Sequence, residues 1–302
     1  MIKYHLKLHF IVFLWGFTAI LGKLITVPSV ELVFWRTFFA AVSLFFLMLF
    51  IGKKPVRHAK AIASLLLTGC IVAFHWIAFF ASVQLSKVSI CLAGLSTTTL
   101  FTAVLDPIIN RKAIKWYEIA LGGMAIIGLY TIFQFEFDHA LGLSLGLLAA
   151  FLAALFSVLN AKHYRQYDSF SITLYEMIGG FFCAALVVPF YHLVLDGKFY
   201  FPSFPNLMDT VWILILAIVC TVYAFYQCVK LLEKLSVFYI NLTINLEPIY
   251  GILLAFLIFK ENEQMTTGFY VGTLLILVSV LVYPIIQRME KARSTAHVAS
   301  HQ

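Results

Sequence analysis

"NLTINLEPIYG", residues 241–251, lies inside an apolar run long enough to cross a membrane, yet it holds a carboxylate beside a proline. Whether that placement is costly depends on the solvent, and composition identifies the solvent. Of 302 residues, 62% are hydrophobic and 12% are charged, against roughly a quarter charged in a soluble domain, and the mean hydropathy is +0.96. A spanning helix needs about 20 mostly apolar residues, and such runs recur along the whole chain with short polar breaks. No stretch is left for a soluble domain, and lipid surrounds most of the chain.

Breaking the runs at charges and turn residues predicts ten spans, near 8–26, 30–51, 61–83, 88–110, 115–134, 142–162, 170–194, 210–229, 236–258 and 267–286. The runs lack the alternating pattern of barrel strands, and backbone groups in lipid must pair within the segment, so the expected class is an all-α polytopic membrane protein. The basic start of "MIKYHLKLHFIVFLWGFTAILGKLI" resembles a signal peptide, but its apolar run is too long and lacks a clear small-x-small cleavage site, so it reads as a retained first span. The five cysteines are odd in number and form no C-x-x-C pair, which reads as packing rather than disulfides or a zinc site.

Lys and Arg set the orientation. With a cytoplasmic N-terminus, sixteen of the twenty-one fall on the inner side, among them Lys53, Lys54, Arg57, Arg111, Lys162 and Arg165, while Lys87, Lys198 and Lys260 fall outside and Lys23 and Arg36 lie within spans. This bias predicts an even number of spans with both termini in the cytoplasm. The net charge of +7 is then a topology signal rather than a nucleic-acid surface.

The chain also repeats itself. "VELVFWRTFFA" (30–40) aligns with "FSITLYEMIGG" (170–180), which matches Arg36 to Glu176. The turn in "ASVQLSKVSICLAGL" (81–95) has a counterpart in "CVKLLEKLSVFYINL" (228–242), and Arg111 to Gly122 keeps the same interval as Glu261 to Gly272. Five spans per half is an odd number, so the second half must insert upside down relative to the first. Inverted repeats are typical of secondary transporters with a midplane site at the repeat interface. The expected units are 1–135, 140–288 and a cytoplasmic tail over 289–302.

At this point the chain resembles the EamA branch of the drug/metabolite transporter superfamily. The matching features are "LWG" (14–16), "FWRTFFA" (34–40), "SKVSICLAGL" (86–95), "LEPIYGILLAFLIFKE" (246–261) and the glycines opening the last span of each half. The resemblance implies a ten-helix carrier with a central cavity and alternating access, often exporting amino acids, metabolites or drugs, here expected in the plasma (bacterial inner) membrane. One departure stands out: where the first half would often match Pro248 with a proline it has Ser96, Thr97, Thr98 and Thr99, so the two halves do not carry the same hinge signal.

Polar residues inside spans are the candidate site. Glu247 lies ten residues from Val237, about 15 Å deep in a core roughly 30 Å thick, and a carboxylate at the midplane costs about 2.5–3.5 kcal/mol unless it faces a cavity or partner. It is a candidate for binding or proton coupling, with a structural ion pair as the alternative. Pro248 is a candidate hinge, because it removes one intrahelical hydrogen bond, or simply a fixed kink. In a straight helix Asn241 and Asn245 share one face and Thr243 and Glu247 the opposite one; the second face is taken as the cavity side. Arg36, about 9 Å deep, is a candidate for a substrate carboxylate or a helix bridge, and Glu176 for the matching depth on the other side. His75 offers a titratable imidazole, or a packed ring. In the Ser96–Thr99 run, Thr97 and Thr98 are taken as cavity hydroxyls, unless they bond back to their own helix. Trp15 and Tyr226 are candidates to stack on substrate.

The expected function is a secondary transporter of a small, partly polar metabolite. Its partners would be that small molecule, the lipid bilayer and protons as coupling ion, with no nucleic acid. A channel or receptor is the alternative, which an inverted repeat around a buried carboxylate disfavours. An intramembrane enzyme is the other, but no H-E-x-x-H, P-loop or nucleophile–base pair is visible. No cofactor or metal is expected.

Overall fold

The described residues of the expected spans are mostly helical in the computed structural model, which describes residues 2–111, 113–135, 139–244, 246–259 and 266–299. The elements are α1 (Ile2–Leu24), α2 (Ser29–Ile51), α3 (Ala59–Leu85), α4 (Val88–Leu95), α5 (Thr98–Asn110), α6 (Trp116–Phe135) and α7 (Ala140–His163) in the first part of the chain. They are followed by α8 (Ser169–Asp196), α9 (Leu207–Ile215), a π-helical stretch π1 (Leu216–Tyr223), α10 (Ala224–Leu231), α11 (Val237–Ile244), α12 (Glu247–Phe259) and α13 (Thr267–Ala299). Among the described residues, seven stretches are long and apolar enough to cross a membrane: α1, α2, α3, α4 with α5, α7, α8, and α9 through α10. Helices α6, α11 with α12, and α13 occupy the remaining expected positions, and α13 runs on through Ala299.

Local chemistry explains where the helices start and stop. The Asp168 carboxylate accepts from the N–H groups of Phe170 and Ser171 and opens α8, while the Asn206 side chain accepts from Asp209 N–H and opens α9. Gly52 (φ +65°) and Gly197 (φ +67°) close α2 and α8 in the left-handed region that glycine adopts without strain. Large apolar side chains such as Phe46, Phe50, Leu186 and Leu257 remain exposed on the outside, as lipid contact requires.

Helix α3 packs along α7 and α8, α2 along α8, and α6 along α13. Two further pairs approach through glycine: α1 lies on α12 and α4 lies on α7. A Cβ on Gly16 would sit 2.9 Å from Tyr250 Cβ and 3.2 Å from Gly251 N, and one on Gly94 would sit 3.0 Å from the carbonyl carbon of Gly146. With no hydrophobic drive between helices in lipid, such backbone approach is how they gain packing.

Three interruptions shape the interior. Between α4 and α5 the hydrogen bonds tighten at Ser96–Thr97, where Thr97 N–H donates to the Gly94 carbonyl at 3.2 Å. Between α11 and α12 Leu246 N–H donates to the Thr243 carbonyl at 3.0 Å, and Asn245 lies outside the described residues. Pro248 is the second residue of α12, in a first turn that has no acceptor for its N–H in any case. The feature expected as a kink within one helix is thus a break between two. The third interruption is π1, a widened turn of a kind often found at functional sites.

Candidate functional site: a charged cavity at the helix breaks

A buried cavity lies where the broken helices meet α1, α2, α3, α7 and α10. Its polar lining includes Arg36, His75, Thr98, Asn160, Asn241 and Glu247, and its apolar wall includes Trp15, Trp76, Phe156 and Phe225. Thr98 and Glu247 are the first residues of α5 and α12. Each break therefore presents a helix N-terminus to the cavity, the end that carries partial positive charge. This is a physical reason for a carboxylate beside a proline in "NLEPIYG": Glu247 sits where the dipole of α12 favours negative charge, and Pro248 where no N–H is needed.

Arg36 is 2% exposed. Its Nε donates to Thr221 Oγ1 at 2.8 Å, and its guanidinium carbon lies 3.9 Å from the centroid of the Trp76 ring, a cation–π contact that grows stronger away from water. Thr221 is in π1, and its hydroxyl donates to the Leu216 carbonyl five residues back at 2.8 Å. That leaves the hydroxyl oxygen to accept from Arg36. The same widening shifts backbone pairing: Ala224 N–H bonds to Val219 and Thr221 carbonyls, and Trp15 Nε1 donates to the Cys220 carbonyl at 3.0 Å. The π turn thus holds both the arginine and one aromatic wall.

Glu247 is 4% exposed and, among the described residues, has no hydrogen-bond partner and no ion pair with Arg36. A guanidinium and a carboxyl group face one cavity with no ion pair between them. His75 donates from Nδ1 to the Ala149 carbonyl at 2.8 Å, which leaves Nε2 to accept or take up a proton.

The chain matches the EamA-like transporter family over residues 3–134 and again over 140–283. It belongs to that family. The family is part of the drug/metabolite transporter superfamily, and the apolar helices make the chain a multi-pass membrane protein. A curated relative, an uncharacterized transporter of Synechocystis sp., is 25% identical over 196 residues, covering 61% of this chain and 54% of the relative. The chain thus spans about half the length of that relative. A solved crystal structure, described without a function, is similar in fold with a TM-score of 0.66 at 14% identity, covering 94% of this chain and 98% of that one.

In this EamA-like chain the expected site residues divide. Arg36, His75, Thr98, Trp15 and Glu247 come together at the cavity. Thr98 lines it through its chain rather than a free hydroxyl, because Thr98 Oγ1 donates to the Leu95 carbonyl at 2.6 Å; Thr97 bonds back in the same way to Gly94 at 2.8 Å and is off the lining. Thr243 is also off it, its hydroxyl donated to the Tyr239 carbonyl at 2.9 Å. Asn241 takes the cavity position instead. Six residues apart in an unbroken helix, Asn241 and Glu247 would point about 120° away from each other, and the break after Ile244 removes that constraint. Tyr226 packs its ring against Phe170 at 6.2 Å, away from the cavity. Glu176 is fully buried behind the wall, where Asn160 Nδ2 donates to its Oε2 at 3.4 Å.

Sequence reasoning missed Asn160, Trp76 and Thr221, and put Asn241 on the face away from the cavity. It also missed a polar clasp at the far end of α2 and α8. There His192 lies between two carboxylates, Nε2 2.8 Å from Glu31 Oε1 and Nδ1 3.0 Å from Asp196 Oδ2, with Tyr200 stacked on its ring at 4.1 Å.

Proposed function

We propose that this chain is a secondary transporter that exports amino acids or other small amphipathic metabolites by alternating access. It would do so as two inverted five-span halves, 1–135 and 140–288, in the plasma (bacterial inner) membrane with both termini and the tail over 289–302 in the cytoplasm. The observation that carries the reading is the pair of opposite charges in one cavity: Arg36 and Glu247 are buried together yet unpaired. An uncompensated buried ion is costly, and a zwitterion satisfies both, its carboxylate on Arg36 and its ammonium on Glu247, with an apolar side chain against Trp15, Phe156 and Phe225. Each charge-assisted hydrogen bond is worth about 1.5–3 kcal/mol.

The inverted arrangement is supported by the contacts. Exchanging the halves maps the α1–α12 contact onto α7–α5, and the α4–α12 contact onto α11–α5. It also maps the break before Thr98 onto the break before Glu247. Paired broken helices at corresponding positions fit the architecture in which a carrier rocks around a central site. Glu247 is the proposed coupling group: substrate ammonium and proton compete for one carboxylate. Export rests on the sequence resemblance to carriers that often export.

The test is counterflow in proteoliposomes with phenylalanine, phenethylamine, which lacks the carboxylate, and 3-phenylpropionate, which lacks the amine. The reading expects exchange of the zwitterion alone, and loss of that preference in Arg36→Gln. Equal exchange of all three by wild type and variant would overturn it.

A further inference from the structure

We propose that a basic cleft between the end of α5 and the junction of α7 with α8 binds the phosphate of an anionic phospholipid. The cleft is lined by Ile108, Asn110, Arg111, Lys162, Arg165 and Gln166, so it gathers three cations and no acidic side chain. Among the described residues none of the three cations makes an ion pair or a side-chain hydrogen bond. Surface cations that only mark the inner side need no shared concavity. These three converge on one from two separate elements.

The backbone that forms the cleft is held in place. Arg111 caps α5 at φ 51°, the one residue other than glycine with positive φ among the described residues. A long side chain in that conformation, where glycine or asparagine is usual, puts a guanidinium at the rim. Its neighbour Asn110 donates to Asp106 Oδ1 at 2.7 Å and to the Val158 carbonyl of α7 at 3.5 Å, which ties the two walls together.

The ligand is a lipid rather than a free anion because the cleft continues into an apolar track. Val104, Ile108 and Arg111 follow one face of α5, with Val104 42% and Ile108 66% exposed. Leu148 and Phe151 are exposed on α7 beside them, and the Phe151 ring meets Phe101 of α5 at 5.5 Å. An acyl chain lying on this track delivers its headgroup to the cations. Trp116, 79% exposed at the start of α6, has the character of residues that sit at headgroup level. Guanidinium forks match phosphate oxygens, and basic pockets between spans recognise anionic headgroups.

The experiment is native mass spectrometry of the full chain in detergent with phosphatidylglycerol and phosphatidylcholine of the same acyl chains added in equal amounts. Wild type is expected to retain phosphatidylglycerol preferentially. Arg165→Gln should weaken it about fivefold, and the triple variant Arg111→Gln, Lys162→Gln, Arg165→Gln should erase the preference. A control triple variant, Lys54→Gln, Arg57→Gln, Lys60→Gln, removes as many exposed cations elsewhere and should leave the preference intact. Should the first triple variant fail to fold, Arg165→Gln decides. Equal retention of the two lipids by wild type, unchanged preference in Arg165→Gln, an equal loss in the control, or displacement of the lipid by inorganic phosphate would each overturn the proposal.

Discussion

Thr221 takes part in two hydrogen bonds that few residues could replace, donating its proton to Leu216 and accepting from Arg36 Nε. Valine has the same shape and neither function. Thr221→Val leaves a buried guanidinium N–H without an acceptor, and the expected loss is about 1–3 kcal/mol of stability, read as a shift in chemical unfolding in detergent micelles. Substrate affinity should fall in the same variant, because Arg36 then holds its place by ring contacts alone, with Trp76 at 3.9 Å and Phe80 at 5.5 Å. Unchanged stability would mean that the Arg36–Thr221 bond contributes nothing in the folded chain. Glu247 is the opposite case: nothing among the described residues partners it, and the N-terminus of α12 is the feature that favours its charge. That it faces an interior cavity was legible from its place inside an apolar run. Its cavity neighbour was not, because matching Thr243 to Glu247 assumed one continuous helix.

The breaks and glycine contacts belong to the scale of elements. Gly16 and Gly94 let α1 and α4 lie against α12 and α7 with backbone nearly touching. Gly16→Ala and Gly94→Ala each force a neighbour to shift, so each is expected to cost about 1–3 kcal/mol, whereas Gly123→Ala, with nothing within 4 Å of its new Cβ, should be neutral or slightly stabilising. Unfolding midpoints of the three variants check this, and equal midpoints would contradict the packing account. Span positions could be read from apolar runs because lipid imposes them on every segment. The break in the first half was hidden because it lacks a proline: Ser96, Thr97 and Thr98 hydroxyls bond back to carbonyls three residues earlier, at 2.6, 2.8 and 2.6 Å. The π turn was hidden for a different reason, since widening by one residue leaves composition and hydropathy untouched.

At the scale of the molecule, one cavity collects side chains from six of the spanning stretches, and the two helix N-termini and Arg36 make it a place for negative charge that Glu247 partly offsets. The His192 clasp joins the first turns of α2, just before Arg36, to the end of α8, whose opposite half carries Glu176. On the proposed reading Glu247 serves in turn a proton and a substrate ammonium, and that exchange is the central claim. The direct measurement places the purified chain in proteoliposomes with a pH-sensitive dye inside, imposes gradients of amino acids and cationic amphipathic drugs, and compares wild type with Glu247→Gln. The account predicts that a compound driving proton movement through wild type drives none through a variant that still folds. Proton movement of equal size through Glu247→Gln would contradict it.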